Sequence, residues 1–228
     1  MCGRFVLNAD GEAIQQKFDL NAIPEIQPRF NIAPTQPIPV ITNEKPDELD
    51  FYRWGLVPSW AKDIAIGNNM INARSETAHE KPSFRAAYKR RRCLIPATGF
   101  YEWAKRDDGK SPFLIHLKDA ELFAFAGLWE VWHSPEGDEL RTCTILTGEP
   151  NDLVKDYHHR MAIILDESSY ETWLSPDELG TDVLHPLLTP YDPQKMAVYQ
   201  VSKAVNSVAN DYPALIEPFT PPQQQALF

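Results

Sequence analysis

Leu122-Phe123-Ala124-Phe125-Ala126-Gly127-Leu128-Trp129-Glu130-Val131-Trp132 is a long apolar run, one strand or two. Glu139–Thr147 reads as its partner across the turn Pro135-Glu136-Gly137-Asp138. Further short segments on both sides have strand character: Met1–Val6, Ile38–Thr42, Phe51–Leu56, Cys93–Ile95, Phe100–Lys105, Phe113–Leu117, Met161–Leu165 and Met196–Ser202. An Asp108-Gly109 turn joins two of them into a hairpin. Helices are predicted from Asp10, as cap, through Phe18, over Ser83–Arg91, over Asn151–Tyr157 with Asn151 as cap, and over Ser168–Leu174. Pro24–Gln36 reads as a proline-broken loop. Strands crowd the middle without a regular βα alternation. The pattern therefore predicts an α+β domain with a curved, mostly antiparallel, barrel-like sheet and short flanking helices, and it argues against Rossmann and TIM architectures.

A chain of 228 residues can bury a core without disulfides or metals, and one domain over residues 1–220 with a loose tail at 221–228 is expected. Twenty prolines against ten glycines predict many rigid loops. There is no apolar stretch near the ~18–20 residues a bilayer span needs, so no membrane partner is expected. No secretory signal is read at the start. Cys2, Cys93 and Cys143 are odd in number and far apart, without CxxC or zinc spacing. The expectation is a cytoplasmic protein with no metal and no cofactor.

The net charge of −10 argues against a nucleic-acid partner, because phosphate binding is driven by Lys and Arg. The distribution is uneven, however. Phe51–Lys110 holds 12 Lys+Arg against 6 Asp+Glu, so an acidic chain can still present a basic face. A solvated basic helix around Lys89–Arg92 accounts for the same excess.

Cys2 is the residue with the most distinctive chemistry. Removal of Met1 leaves an α-amine with a pKa of about 8 beside a thiol of about 8.5. The amine can add to an aldehyde as a Schiff base, and the thiol on the neighbouring carbon then closes a five-membered thiazolidine. Ring closure benefits from an effective molarity of up to ~10⁵–10⁸ M. With Met1 attached, the Cys2 nitrogen is an amide and the ring cannot form. Glu102, in Gly99-Phe100-Tyr101-Glu102-Trp103, is a carboxylate among aromatics and a candidate acid–base group. It would face outward if Tyr101 and Trp103 pointed inward together. His158, beside His159 and Arg160, is a second acid–base candidate or half of a surface pair. Asn72 and Arg74 could orient a substrate and grip a phosphate, or be turn residues. Trp60 could stack on an unpaired base or belong to the core.

These motifs, taken in order, resemble the SOS-response-associated peptidase (SRAP) family of abasic-site processing proteins. The resemblance covers nearly the whole chain. It runs through Met1-Cys2-Gly3-Arg4-Phe5, Phe30-Asn31-Ile32-Ala33-Pro34, Trp54-Gly55-Leu56-Val57-Pro58-Ser59-Trp60 and Ile71-Asn72-Ala73-Arg74-Ser75-Glu76-Thr77. It continues in the Glu102 segment, His158-His159-Arg160-Met161 and Val201-Ser202-Lys203-Ala204-Val205-Asn206. It implies a protein that binds single-stranded DNA, or single-/double-strand junctions, and forms a thiazolidine crosslink between mature Cys2 and the ring-opened abasic sugar. It also implies self-removal of Met1 and lyase activity at abasic sites. On this resemblance Cys2 is the nucleophile, Asn72 orients amine and sugar, Glu102 shuttles protons, and His158 rather than His159 is the active-site histidine. Arg4, Arg74 and Arg160 match phosphate-gripping residues, Asn31 and Pro34 line the groove, and Trp60 is a wedge. Ala61 stands where some relatives carry a second Trp, and Ala162 replaces a common Pro. A monomeric, bacterial-type protein associated with the nucleoid is expected. The competing reading is an N-terminal-nucleophile cysteine amidohydrolase, with Cys2 as nucleophile and its own amine as base.

Overall fold

The computed structural model describes residues 2–106 and 109–219. Met1, Asp108 of the expected turn and the 221–228 tail lie outside the described residues. The strands are β1 (Phe5–Leu7), β2 (Arg29–Ile32), β3 (Pro37–Thr42), β4 (Lys45–Trp54), β5 (Asn72–Arg74) and β6 (Arg92–Ala97). They continue as β7 (Gly99–Arg106), β8 (Gly109–Leu117), β9 (Phe123–His133), β10 (Glu139–Gly148), β11 (Met161–Ala162) and β12 (Met196–Gln200). Helices are short: α1 (Gly11–Phe18) is the longest described, α2 (Arg85–Arg90) and a 3₁₀ helix at Ile64–Asn69 have six residues each, and the others are single turns. The chain is α+β, dominated by strands, as its pattern predicts.

Five strands close on themselves. β4 pairs with β3, β3 with β6, β6 with β9, β9 with β10, and β10 returns to β4. The apolar run at 122–132 is one continuous strand that serves two neighbours. Phe123–Leu128 pairs with β6, and Gly127–His133 pairs with β10. Gly127 lies where the two ladders overlap; a Cβ there would meet Cys93 Sγ at 2.7 Å and Ile95 Cδ1 at 2.8 Å. The closing contact, β10 with β4, is parallel, as is β10 with β5. A second, antiparallel sheet runs β12-β8-β7-β1-β2. One of its faces covers the barrel: Phe5, Leu7, Ile32, Phe100, Ile115 and Leu117 join the main core with Trp54, Phe125, Cys143 and Ile145. Turns from residues 201–216 cover its other face around Val6, Tyr101 and Leu114.

Three local expectations change. The 24–36 loop contains strand β2, which sequence pattern hides because Asn31 is fully buried and polar in the middle of it. The expected 151–157 helix is a 3₁₀ turn at Val154–Asp156, although Asn151 Oδ1 does accept from Leu153 N at 3.1 Å and Val154 N at 2.9 Å. Met161–Leu165 is buried throughout but ladders only at Met161–Ala162. Prolines enter strands as well as loops. Pro37 and Pro39 are tolerated in β3 because its pairing with β6 begins only at Ile41. No helix among the described residues is long and apolar enough to cross a membrane.

Candidate functional site

Strand β1 lies between β7 and β2 and holds the start of the chain against the core. Phe5 packs edge-on against Trp54 at 5.3 Å and Phe125 at 5.9 Å. One residue earlier, Arg4 O accepts from Tyr101 N at 3.0 Å and is faced by Cys2 Sγ at 3.9 Å. Cys2 is completely buried. Burial, and then the negative charge of Glu102, push its thiol well above the ordinary cysteine range, so the thiol is held neutral.

Glu102 sits on β7 opposite Phe113 of β8. It is 3 % exposed, and burial pushes its carboxyl from the ordinary 4.5 up to about 7. Tyr101 and Trp103 do share a face, with ring centroids 6.3 Å apart, as alternation demands. The opposite face is nonetheless buried too. Tyr101 donates to Phe30 O at 2.7 Å on the side covered by the 201–216 turns, while Glu102 points back toward Cys2.

Asn72 lies on β5, paired with Ile145. Its Nδ2 donates to Ile71 O at 2.9 Å, the carbonyl that also accepts from Trp54 Nε1 at 2.8 Å. Its Oδ1 is buried without a hydrogen-bond partner, an acceptor available to an amine or hydroxyl. His158 follows the 154–156 turn, with its N–H donating to Val154 O at 3.0 Å. His158 Nδ1 lies 2.9 Å from Arg160 N and 3.1 Å from Arg160 O, so the Arg160 backbone fixes the orientation of the ring. Burial lowers the His158 pKa, so the neutral ring is favoured. Tyr157, the residue before it, packs on Phe113 at 4.8 Å, and Phe113 is the cross-strand neighbour of Glu102. His159 is exposed and stacks on His158 at 4.3 Å.

The residues expected to touch DNA divide into two kinds. Arg74 and Trp60 are exposed, Trp60 at 57 % on a turn after β4, and Pro34 is half-buried beyond β2. Arg4, Asn31 and Arg160 are engaged within the protein. Arg4 Nη1 donates to Asn31 Oδ1 at 2.7 Å and Val205 O at 3.0 Å, and the guanidinium lies over Trp103. Asn31 Nδ2 reaches Val205 O, Ser207 O and Asn210 O at 3.2, 3.0 and 2.7 Å. Asn31 thus ties β2 to the 203–210 turn. Asn206 Oδ1 accepts from Trp103 Nε1 at 2.7 Å. The role of Asn206 is not evident from the sequence, where its only signal is an amide closing the Val201–Asn206 motif.

The densest part of the basic stretch is spent on the fold. Arg90 pairs with Glu178 and Arg91 with Glu130, at 2.5 and 2.7 Å. Arg92 is fully buried and donates to the carbonyls of Trp173, Ser175 and Asp177 at 2.9, 2.6 and 3.0 Å. Among the described residues no group of three or more His, Cys, Asp or Glu is placed to hold a metal.

The family model described as SOS response associated peptidase (SRAP) matches residues 1–208. The chain is 49 % identical over 222 residues to the abasic site processing protein YoqW of Bacillus subtilis, covering 95 % of this chain and 99 % of that one. It is 34 % identical to the abasic site processing protein HMCES of Gallus gallus, covering 84 % of this chain and 66 % of the relative. A crystal structure of a protein from Bacteroides thetaiotaomicron superposes with a TM-score of 0.86 at 28 % identity, covering 96 % of this chain and all of that one.

Proposed function

The chain belongs to the SOS response associated peptidase family, and on that premise we propose that it captures abasic sites in single-stranded DNA as a covalent thiazolidine at Cys2. Its coarser role, processing of abasic sites in DNA, follows from relatives that carry that name. The observation that carries the finer reading is a second-residue thiol buried beside a carboxyl whose pKa lies at about 7.

The order of steps follows from the protonation states. Once Met1 is cleaved, the Cys2 amine adds to the C1 aldehyde of the ring-opened sugar. The carbinolamine loses water to give the Schiff base. The neutral thiol then adds to the imine carbon, its proton passing to the nitrogen, and the ring closes. One water leaves in all. Glu102, titrating near neutrality, suits both proton removal from the amine and proton delivery to the departing hydroxyl. The unpartnered Asn72 Oδ1 is suited to orient the amine, and His158, its ring held by the Arg160 backbone, to exchange a proton with a sugar oxygen. Arg74, Arg160 and Arg4 supply phosphate contacts, and Trp60 a stacking surface for a base beside the lesion. Self-cleavage after Met1 and strand cleavage at the lesion are activities of the same site in this reading. The protein acts as a monomer in the cytoplasm, at the nucleoid and at single-/double-strand junctions.

The test uses protein whose N-terminus mass spectrometry shows to be Cys2. Incubation with a single-stranded oligonucleotide carrying one uracil, plus a uracil glycosylase, should give a denaturant-resistant band of reduced mobility. Cys2→Ala should bind the strand without forming the band. Absence of the band with trimmed wild-type protein refutes the proposal.

A further inference from the structure

Glu76 takes no part in the chemistry above, yet it controls the charge beside it. Arg160 Nη1 and Nη2 donate to Glu76 Oε1 and Oε2 at 2.6 and 2.8 Å, a two-pronged contact that uses the flat end of the guanidinium. Nη2 also donates to Thr147 O, and Nε is buried without a partner. Thr147 is also the residue of β10 that faces Arg74 of β5, and Ser75 N donates to its carbonyl at 2.9 Å. Arg74 and Arg160 therefore flank one residue, with Glu76 under the influence of both. Arg160, through its hydrogen bonds and charge, and then the charge of Arg74 hold the Glu76 carboxyl below its ordinary range. The Glu76 side chain is 41 % exposed and that of Arg160 12 %.

We propose that Glu76 is a specificity-determining residue that occupies the Arg160 fork in the free protein as an internal stand-in for a DNA phosphate. The inference rests on the reading that Arg74 and Arg160 grip phosphates. A carboxylate and a phosphate both present two oxygens that match the guanidinium fork, so Arg160 cannot hold both in two-pronged fashion. A strand that engages Arg160 must displace Glu76, exchanging one ion pair for another. Arg74, exposed and without such a partner, contributes its full charge. The grip on an undamaged strand is thereby kept weak, and lasting retention is left to the covalent bond at Cys2. The net charge of −10 acts in the same sense.

The experiment measures binding of a fluorescent, undamaged oligothymidylate by anisotropy across a salt series, with thermal melting of each protein alongside. Glu76→Gln should bind about three- to tenfold more tightly than wild type at the lowest salt. Its log Kd against log salt slope should steepen by about 0.7, the increment for one more phosphate neutralised on a single strand. In an Arg160→Gln background the change at 76 should no longer alter the slope. Unchanged or weaker binding by Glu76→Gln, with an unaltered slope and wild-type melting, overturns the proposal and makes the pair a brace for the 74–77 turn. Should Glu76→Gln fail to fold, Glu76→Asp, which keeps the charge but is too short for the two-pronged contact, must still tighten binding; no tightening overturns the proposal equally. Failure of wild type both to bind the strand at any salt and to crosslink abasic DNA would instead refute the functional reading itself.

Discussion

Replacing Glu102 with glutamine should reverse a pH-dependent cost that the fold now carries. Burial on β7 raises the Glu102 carboxyl from 4.5 to about 7. Below pH 4.5 the folded and unfolded chains both hold the proton. Between 4.5 and about 7 the folded chain keeps a proton that the unfolded chain has released, so stability falls as pH rises through this window. Above it both states are ionised and the fold bears the whole penalty, about 3 kcal/mol at most. Glutamine is neutral throughout. Urea denaturation of wild type and Glu102→Gln at pH 5 and pH 8 therefore isolates the carboxyl. On going from about pH 5 to about pH 8 the wild type should lose about 2.5 kcal/mol relative to the variant. Crosslink formation should move the other way, the variant being slower at neutral pH because its proton carrier is gone. Stability profiles that run parallel between the two proteins would refute the reasoning, since a solvated carboxylate at position 102 has no such cost.

Arg74→Ala should weaken binding to any single strand and reduce the salt slope by about 0.7–1, whatever the base sequence; a change confined to the covalent step would remove it from the phosphate set. Trp60→Ala, at a position 57 % exposed, should leave the urea midpoint close to that of wild type but lose about 1–3 kcal/mol of single-strand affinity. Asn31→Ala strips the donor from the carbonyls of Val205, Ser207 and Asn210 and the acceptor from Arg4. It should cost about 2–4 kcal/mol of stability by urea denaturation, and a loss well below that range would mean the 203–210 turn is held by other contacts.

The order of motifs from Cys2 to Asn206, the strand-rich middle, the turn at 135–138 and the Asp10 helix cap were all legible in the sequence. Each depends on neighbours a few residues apart: a cap bonds three residues on, a turn constrains four, and alternation repeats every two. The chemistry proposed for a trimmed second-residue cysteine is likewise local, because amine and thiol sit on adjacent carbons of one residue. What the tertiary structure decided are the contacts between segments far apart in the chain. Closure of the barrel brings β4 against β10, pairing Trp54 with Cys143, and no local periodicity encodes a parallel partner at that distance. Period-two alternation leaves Glu102 either in or out; it is buried on the Cys2 side of β7, and the Tyr101 side is covered in turn by residues 201–216, so both sides of one strand are inside. Charge counting puts a basic excess in residues 51–110, but there Arg92 is sealed among carbonyls and Arg90 and Arg91 are paired with acids. A charged side chain buried away from water must find partners, and only the folded chain determines which arginines those partners consume and which, like Arg74, stay available to a phosphate.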